Sequence, residues 1–468
     1  VNILNSNKVI IVLQKSRLLV PGNGRGLVFL FFVFCILSSI SIHAQARDTT
    51  GPDFLTLKDC IDYSLHNQPE LKQSILNLAV ARTTNAINIA GWLPQVALSG
   101  SYVHYDQLPT TLISLNGGAP TPERTGVTNT LIPTLSVTQA IFSPSLLYYA
   151  SSAHLLTKQA RQGIDSTKIG LVSSVSKAFY NLLVTLEEIN VLKEDTVRLN
   201  RNLADAYHQY VGGIVDETDY LEAGISLNNS RAQLKQTVEN VTPLYAVLKQ
   251  LMGFAPQKQF NISFDTARMA KDINIDTTEQ LDYEKRIEFQ ELQTARAIQH
   301  KITNYNWVTF APSLNAYYYY NYELENDNAS DLFHTAYPNS YVGVGLSLPI
   351  FTGLSRVESI HKSKLQEQIL GWAEVGLKSE IYTEYTTALA NYKGNLYNLQ
   401  VMQENVSMAR RVYFVVELQY KQGIVAYLNV ITAESNLISS EIGYLNALSQ
   451  VLSNKIDLEK AMGNIPYY

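Results

Sequence analysis

Four landmarks recur in the same order in the two halves of this 468-residue chain, and that repetition constrains the fold more than any single motif. Pro94, after Gly91-Trp92-Leu93, answers Pro312, after Thr309-Phe310-Ala311. Ala140-Ile141-Phe142-Ser143 answers Pro349-Ile350-Phe351-Thr352. Tyr210-Val211-Gly212-Gly213-Ile214-Val215 answers Tyr420-Lys421-Gln422-Gly423-Ile424-Val425, and Leu251-Met252-Gly253 answers Ala461-Met462-Gly463. The offset is about 210 residues at the last three landmarks and slightly larger at the first, which puts the extra residues in the first half's loop. One match could arise by chance, whereas four in order indicate a duplication.

Within each half the hydrophobic period switches twice. Leu57, Ile61, Leu65, Leu71, Ile75, Leu78 and Ala81 follow helical spacing. From Val96 the period becomes two: Val96, Leu98 and Tyr102 share a face opposite Gln95, Ser99 and Ser101. After the turn-forming run 115–120, Leu131, Leu135 and Val137 resume the alternation. The second half is clearer. Tyr318, Tyr320 and Tyr322 alternate with Tyr317, Tyr319 and Asn321, and Val342, Val344 and Leu346 alternate with Tyr341, Gly343 and Gly345. Apolar-out, polar-in alternation of this length is the pattern of a membrane β-hairpin, with tyrosines suited to the interface girdles.

Between the hairpins run long helices. No proline interrupts 145–210 or 354–420, and at 1.5 Å per residue each run reaches ~100 Å. In the second, Ile381, Tyr385, Ala388, Tyr392, Leu396, Leu399, Met402, Val406, Ala409, Tyr413, Val416 and Tyr420 form a narrow coiled-coil seam. Gly213 and Gly423 mark hairpin-tip turns, each followed by a return helix to about Gly253 or Gly463. The predicted organisation is a segment 1–46, a first repeat 47–253 with its β-hairpin at about 94–142, a linker 254–278, and a second repeat 279–468 with its hairpin at about 312–351.

Segment 1–46 has Lys8, Lys15, Arg17 and Arg25, no acid, an apolar run from Gly26 to Ile42 and a closing Ala44-Gln45-Ala46. That order reads as a secretory signal peptide. Cys35 would leave with it, so Cys60 has no internal partner for a disulfide. Elsewhere no run of ~20 apolar residues predicts a spanning helix. Charged residues are only 16% of the chain and the net charge is −5, which argues against a nucleic-acid partner.

The chain thus reads as a mixed α/β membrane protein with four transmembrane β-strands per chain and long α-helical hairpins. Lipid offers no hydrogen bonds, so a four-stranded sheet with bare edges cannot persist there. Two copies would give eight strands and three would give twelve. An eight-stranded interior is filled by side chains, so a conduit requires the larger ring. The rival reading is an exported periplasmic coiled-coil structural or adaptor protein without a pore, which leaves the outward apolar faces without purpose.

The chain resembles the TolC-type outer-membrane efflux family over nearly its whole length after 1–46. The resemblance rests on Leu55-Thr56-Leu57-Lys58 leading to His66-Asn67-Gln68-Pro69-Glu70-Leu71, on Val344 to Gly353, and on Tyr420 to Val430. It implies a homotrimer with a twelve-stranded barrel in the outer membrane of a Gram-negative-type bacterium, in contact with outer-membrane lipid, and a long periplasmic helical tunnel. It also implies a periplasmic adaptor (membrane fusion) protein and an inner-membrane transporter of RND or ABC type as partners, the transporter supplying the energy to export small molecules, drugs or polypeptides. The family closes its tunnel at the hairpin tips with two acidic residues one turn apart; here those positions are Asn429 and Thr432, and the family's preceding basic position is Val425. Tyr420 is kept, and the first half keeps acids at Asp219 and Glu222. The expectation is a weaker tip gate in which Asp219 hydrogen-bonds Tyr420 or Asn429.

Catalytic motifs are absent: no nucleophile elbow, P-loop, zinc-protease helix or dinucleotide fingerprint occurs. His66, His104 and His208 lack partners at metal spacing, and the 5 methionines are scattered. No cofactor, no metal and no enzymatic activity are expected.

Overall fold

The computed structural model describes residues 54–114, 119–263, 273 and 275–467. The expected signal segment 1–46 lies outside the described residues, as does part of the expected linker.

The chain begins with a two-residue strand β1 (Phe54–Leu55), then α1 (Leu57–Asn67) and α2 (Pro69–Ala90). A capping box starts α1: the Asp59 backbone N–H donates to Thr56 Oγ1, and the Thr56 N–H donates back to the Asp59 carboxylate. Pro69 opens α2 in the first turn, where its missing N–H costs nothing. β2 (Gln95–His104), a small ribbon of β3 (Thr110–Ile113) and β4 (Thr121–Arg124), and β5 (Asn129–Phe142) follow. The 68-residue α3 (Pro144–Val211) leads out of the sheet and the 36-residue α4 (Glu217–Met252) returns. A strap containing β6 (Asn261–Ile262) precedes the second half: α5 (Ile287–Val308), β7 (Ser313–Asn326), β8 (Ala336–Ser347), the 67-residue α6 (Ser355–Lys421) and the 36-residue α7 (Tyr427–Met462).

Both return helices stop at a left-handed glycine, Gly253 at φ 65° and Gly463 at φ 72°. Each is pressed against backbone from the start of its own half. A Cβ on Gly253 would sit 2.7 Å from the Asn67 carbonyl oxygen, and one on Gly463 would sit 2.8 Å from that of Lys285. The landmark glycines therefore satisfy two demands, a positive φ and a close approach.

The four long strands form one antiparallel sheet in the order β2-β5-β7-β8. The two hairpins are joined within the chain through β5 and β7, while β2 and β8 are edges. Pro133 lies in the central strand β5, and the β5–β7 ladder skips from Leu131/Leu324 to Thr134/Asn321 around it. Proline has no N–H to donate there. The helices all attach at one end of the sheet, because the chain enters through Gln95 and Ser313 and leaves through Phe142 and Ser347.

The main core lies where the long helices pass the strap and the short helices. Leu71, Leu182, Leu192, Leu248, Leu452 and Leu458 are fully buried, each contributing about 1.5–3 kcal/mol of apolar transfer. The strap is part of this packing: Phe260, Ile262 and Ile273 are buried, and the Tyr392 hydroxyl donates to the Ile273 carbonyl at 2.7 Å. A second, smaller core near the tips gathers Ala206, Ala223, Tyr413, Tyr420, Tyr427, Val430, Ala433 and Leu437. On α6 the buried positions Ile381, Ala388, Tyr392, Leu399, Tyr413 and Tyr420 trace a single narrow seam. One stretch of α3 is long and apolar enough to cross a membrane, contrary to the expectation from sequence; just over half of it is buried by neighbouring helices.

Candidate functional site

The sheet separates two chemistries by face. Residues directly opposite in an antiparallel ladder share a face. One row runs Val96, Val137, Tyr318, Val342 across all four strands, and the next runs Leu98, Leu135, Tyr320, Ser340. Tyr322 and, on β8, Val344 and Leu346 continue this face. It is bare: Leu98 is 77% exposed and Val342 80%. A soluble chain rarely leaves so contiguous an apolar surface to water.

The opposite face is polar. Ser99, Thr134, Asn321 and Asn339 form a row in which Thr134 Oγ1 donates to Asn321 Oδ1 and Asn321 Nδ2 donates to Asn339 Oδ1, both at 2.9 Å. Tyr317, Tyr319 and Tyr341 cluster on the same face, with the rings of Tyr319 and Tyr341 5.3 Å apart. Tyr317 covers Gly343 so closely that a Cβ there would enter its ring at 2.5 Å. At the loop end, Asn129 binds the two hairpins together. Its Oδ1 accepts from the Tyr102 hydroxyl at 2.8 Å, and its Nδ2 donates to the carbonyls of Asn326 and Asp327. Nothing in the local pattern around Asn129 signals this long-range role.

At the far end, Gly213 (φ 68°) and Gly423 (φ 71°) turn the two helical hairpins in open space. Asp219 and Glu222 lie half-buried on the first turns of α4, whereas Asn429 and Thr432 lie exposed on the first turns of α7. Thr432 Oγ1 donates to the Leu428 carbonyl of its own helix. Burial and the neighbouring Asp216 carboxylate push the Asp219 carboxyl above its ordinary range. Tyr420 is buried and its ring lies 5.2 Å from that of Tyr427. Burial first, then Asp219 and Asp205, push the Tyr420 hydroxyl up to about 12.

Asp219 and Tyr420 are therefore neighbours, but the expected hydrogen bond is not made. The Tyr420 hydroxyl is buried without a partner, as is that of Tyr427. Asn429 does not reach Asp219 through a side-chain bond either. Tyr420, near the end of α6, is buried in the tip core, while Asp219, in the first turn of α4, is half-buried.

Sequence reasoning missed a polar cluster further from the tip turns. Asp195, on α3, is fully buried; Ser230 of α4 donates to its Oδ2 at 2.6 Å and Arg198 Nη2 donates to its Oδ1 at 3.3 Å. Glu434, on α7, is 1% exposed, accepts from Asn202 Nδ2 at 3.0 Å, and lies 3.6 Å from Arg198 Nε. The available signal was a charged residue on an otherwise apolar coiled-coil face. Among the described residues no group of three or more potential metal ligands is present.

These features agree with comparisons to known proteins. The "Probable efflux pump outer membrane protein TtgC" of Pseudomonas putida is 25% identical over 427 residues, covering 87% of this chain and 82% of its own length. "Outer membrane protein TolC" of Vibrio cholerae is 20% identical over 424 residues, covering 87% and 91%. Among solved structures, CusC superposes with a TM-score of 0.72 at 16% identity, over 88% of this chain and 93% of that one; at that identity the likeness speaks for the fold. The profile of the outer membrane efflux proteins matches residues 60–254 and 304–464, which span both halves, both helical hairpins and all four long strands of the sheet. The chain belongs to the outer membrane efflux protein family.

Proposed function

We propose that three copies of this chain close edge to edge into a twelve-stranded barrel continued by a helical tunnel, the passive exit duct of an efflux system. The outer-membrane efflux role itself comes with family membership, as does the absence of catalysis. The observation that carries the closure is the pair of unpaired edges, β2 and β8, on a sheet whose outer face is apolar and bare. The helices continuous with those edges, α2 and α6, also expose apolar residues: Leu76, Val80 and Ile87 on one, Ile369, Trp372 and Val375 on the other. Two different edges meeting head to tail build a ring when the rotation closes. Eight strands would leave no water-filled lumen, and twelve provide one.

The polar face then lines the lumen, and the tips carrying Asp219, Glu222, Tyr420, Asn429 and Thr432 form the constriction. A periplasmic adaptor at the tips and an inner-membrane transporter, proton-driven RND or ABC type, complete the system; drugs, other small molecules or polypeptides are the cargo. Determining the mass of the detergent-solubilised protein and its conductance in a planar bilayer tests the duct. Three chains with ion conductance are expected; a monomer in the soluble periplasmic fraction would refute it and favour the pore-less rod. For the constriction, Asp219→Ala should change conductance and block by multivalent cations. An unchanged response would remove Asp219 from the gate.

A further inference from the structure

The cluster at Asp195 joins the two helical hairpins near the tips through buried charge. Arg198 and Asp195 come from the first hairpin and Glu434 from the second. Ser230 on α4 and Tyr413 on α6 complete it, so all four long helices contribute.

Charge does not balance in this site. Two buried carboxylates, Asp195 and Glu434, share one guanidinium, and Glu434 Oε1 and Arg198 Nε, 3.6 Å apart, make no hydrogen bond. The remaining charged groups nearby do not correct the deficit. On α7, Glu441 is already held by Arg410 of α6 through two bonds of 3.0 and 2.7 Å. On α6, Glu417 pairs with Lys421, and Tyr413, its hydroxyl pushed up to about 12 by burial, stays neutral; Tyr427 of α7 is likewise raised by burial. α4 contributes the Ser230 hydroxyl, bonded to Asp195. A polar groove of about 600 Å³ between α4 and α7, lined by Ser226, Asn229, Gln233 and Ser435, reaches both carboxylates and gives protons a path.

We propose that this cluster is a proton-binding clasp between the hairpins: one proton taken up by Glu434 neutralises the site and locks α3 to α7, and its loss loosens the tips. The direction of titration agrees. Burial, and then the Asp195 charge, raise the Glu434 carboxyl from 4.5 to about 7, while burial also raises Asp195 against the pull of Ser230 and Arg198. A carboxyl raised on folding binds its proton more tightly in the clasped state. The clasp is therefore strongest below about pH 4.5 and is lost as pH rises through about 7. Each unit of such a shift is a factor of ten in the clasp equilibrium, so the full change, from 4.5 to about 7, is roughly three hundredfold.

The first test is infrared titration of the full-length wild-type protein in detergent, which needs no variant to fold. A protonated-carboxyl band that appears as pH falls through about 7 and is missing in Glu434→Gln is expected. No such band between pH 5.5 and 8 would overturn the proposal. The second test rests on the duct reading: planar-bilayer conductance between pH 5.5 and 8.5 should rise with pH in the wild type and stay at its acid level in Glu434→Gln. A variant that follows the wild-type profile would also overturn it. If neither protein conducts at any pH but the infrared band titrates, the duct reading fails and the proton site stands.

Discussion

Replacing Gly463 by alanine should destabilise the protein far more than the same change at Gly423, although both glycines have nearly the same backbone. Gly423 has φ 71° and Gly463 φ 72°. Forcing a residue with a Cβ into that region costs about 1–2 kcal/mol at either site. The surroundings differ. A Cβ at Gly423 meets no heavy atom within 4 Å, whereas at Gly463 it would lie 2.8–2.9 Å from the carbonyl oxygen, carbonyl carbon and Cβ of Lys285. Relieving that overlap requires backbone movement, at about 1–3 kcal/mol for overpacking. The next residue, Arg286, is anchored on three sides and resists the shift: Nη1 donates to the Ala461 carbonyl at 3.0 Å, Nη2 to Glu384 at 2.7 Å and Nε to Glu288 at 3.0 Å. The expected totals are about 2–5 kcal/mol for Gly463→Ala and about 1–2 kcal/mol for Gly423→Ala. Far-ultraviolet circular dichroism of the purified protein, heated at one fixed scan rate, gives the comparison, since only the order of midpoints is required. Gly253→Ala, whose Cβ would meet Asn67 and Gln68 at 2.7–3.0 Å, should group with Gly463→Ala. Equal losses at all three positions would refute the reasoning, because they would assign the whole cost to φ and none to the approach.

Val342→Arg places a charge on the outward apolar face and should cost about 2–4 kcal/mol if near the bilayer midplane, reducing the assembled protein in outer-membrane fractions; Ser99→Arg on the polar face should be tolerated, and equal yields would contradict the assignment of faces. Arg286→Ala leaves the Ala461 carbonyl and two carboxylates without their donor, and should cost about 2–3 kcal/mol, less than for a wholly buried pair because Glu384 and Glu288 keep contact with water. A thermal midpoint within error of the wild type would show that the contacts are idle. Cys60 is fully buried, and burial pushes its thiol up to about 12, so at pH 8 a thiol reagent should label it only after unfolding; rapid labelling of the folded protein would show that the strap and α1 open readily.

What the sequence revealed was whatever leaves a local period. The long helices were legible because no proline falls between Pro144 and Val211 or between Ser355 and Lys421, and because Gly213, Gly253, Gly423 and Gly463 punctuate their ends. The strand faces were legible from alternation. Pairings between residues far apart were not. No local pattern states that β5 pairs with β7, that Asn129 ties the two loops, or that Arg198 stands between Asp195 and Glu434. The region 254–278 read as a linker because it lacks periodicity, yet its Phe260 and Ile273 are core residues held by helix side chains such as Tyr392. The hydrogen bond expected at Asp219 failed because a sequence places residues near a tip without stating which side of the helix faces inward.

The order β2-β5-β7-β8 also distinguishes two kinds of seam in the proposed ring. Three seams, β5 against β7, form inside single chains at a rate that does not depend on how much protein is present. Three others, β2 against β8, form only when chains collide, and slow steeply on dilution. A duplicated chain thus halves the number of seams that must form between chains, relative to a ring of separate hairpins. It also leaves each newly exported copy with two sticky edges that must be shielded until its neighbours arrive.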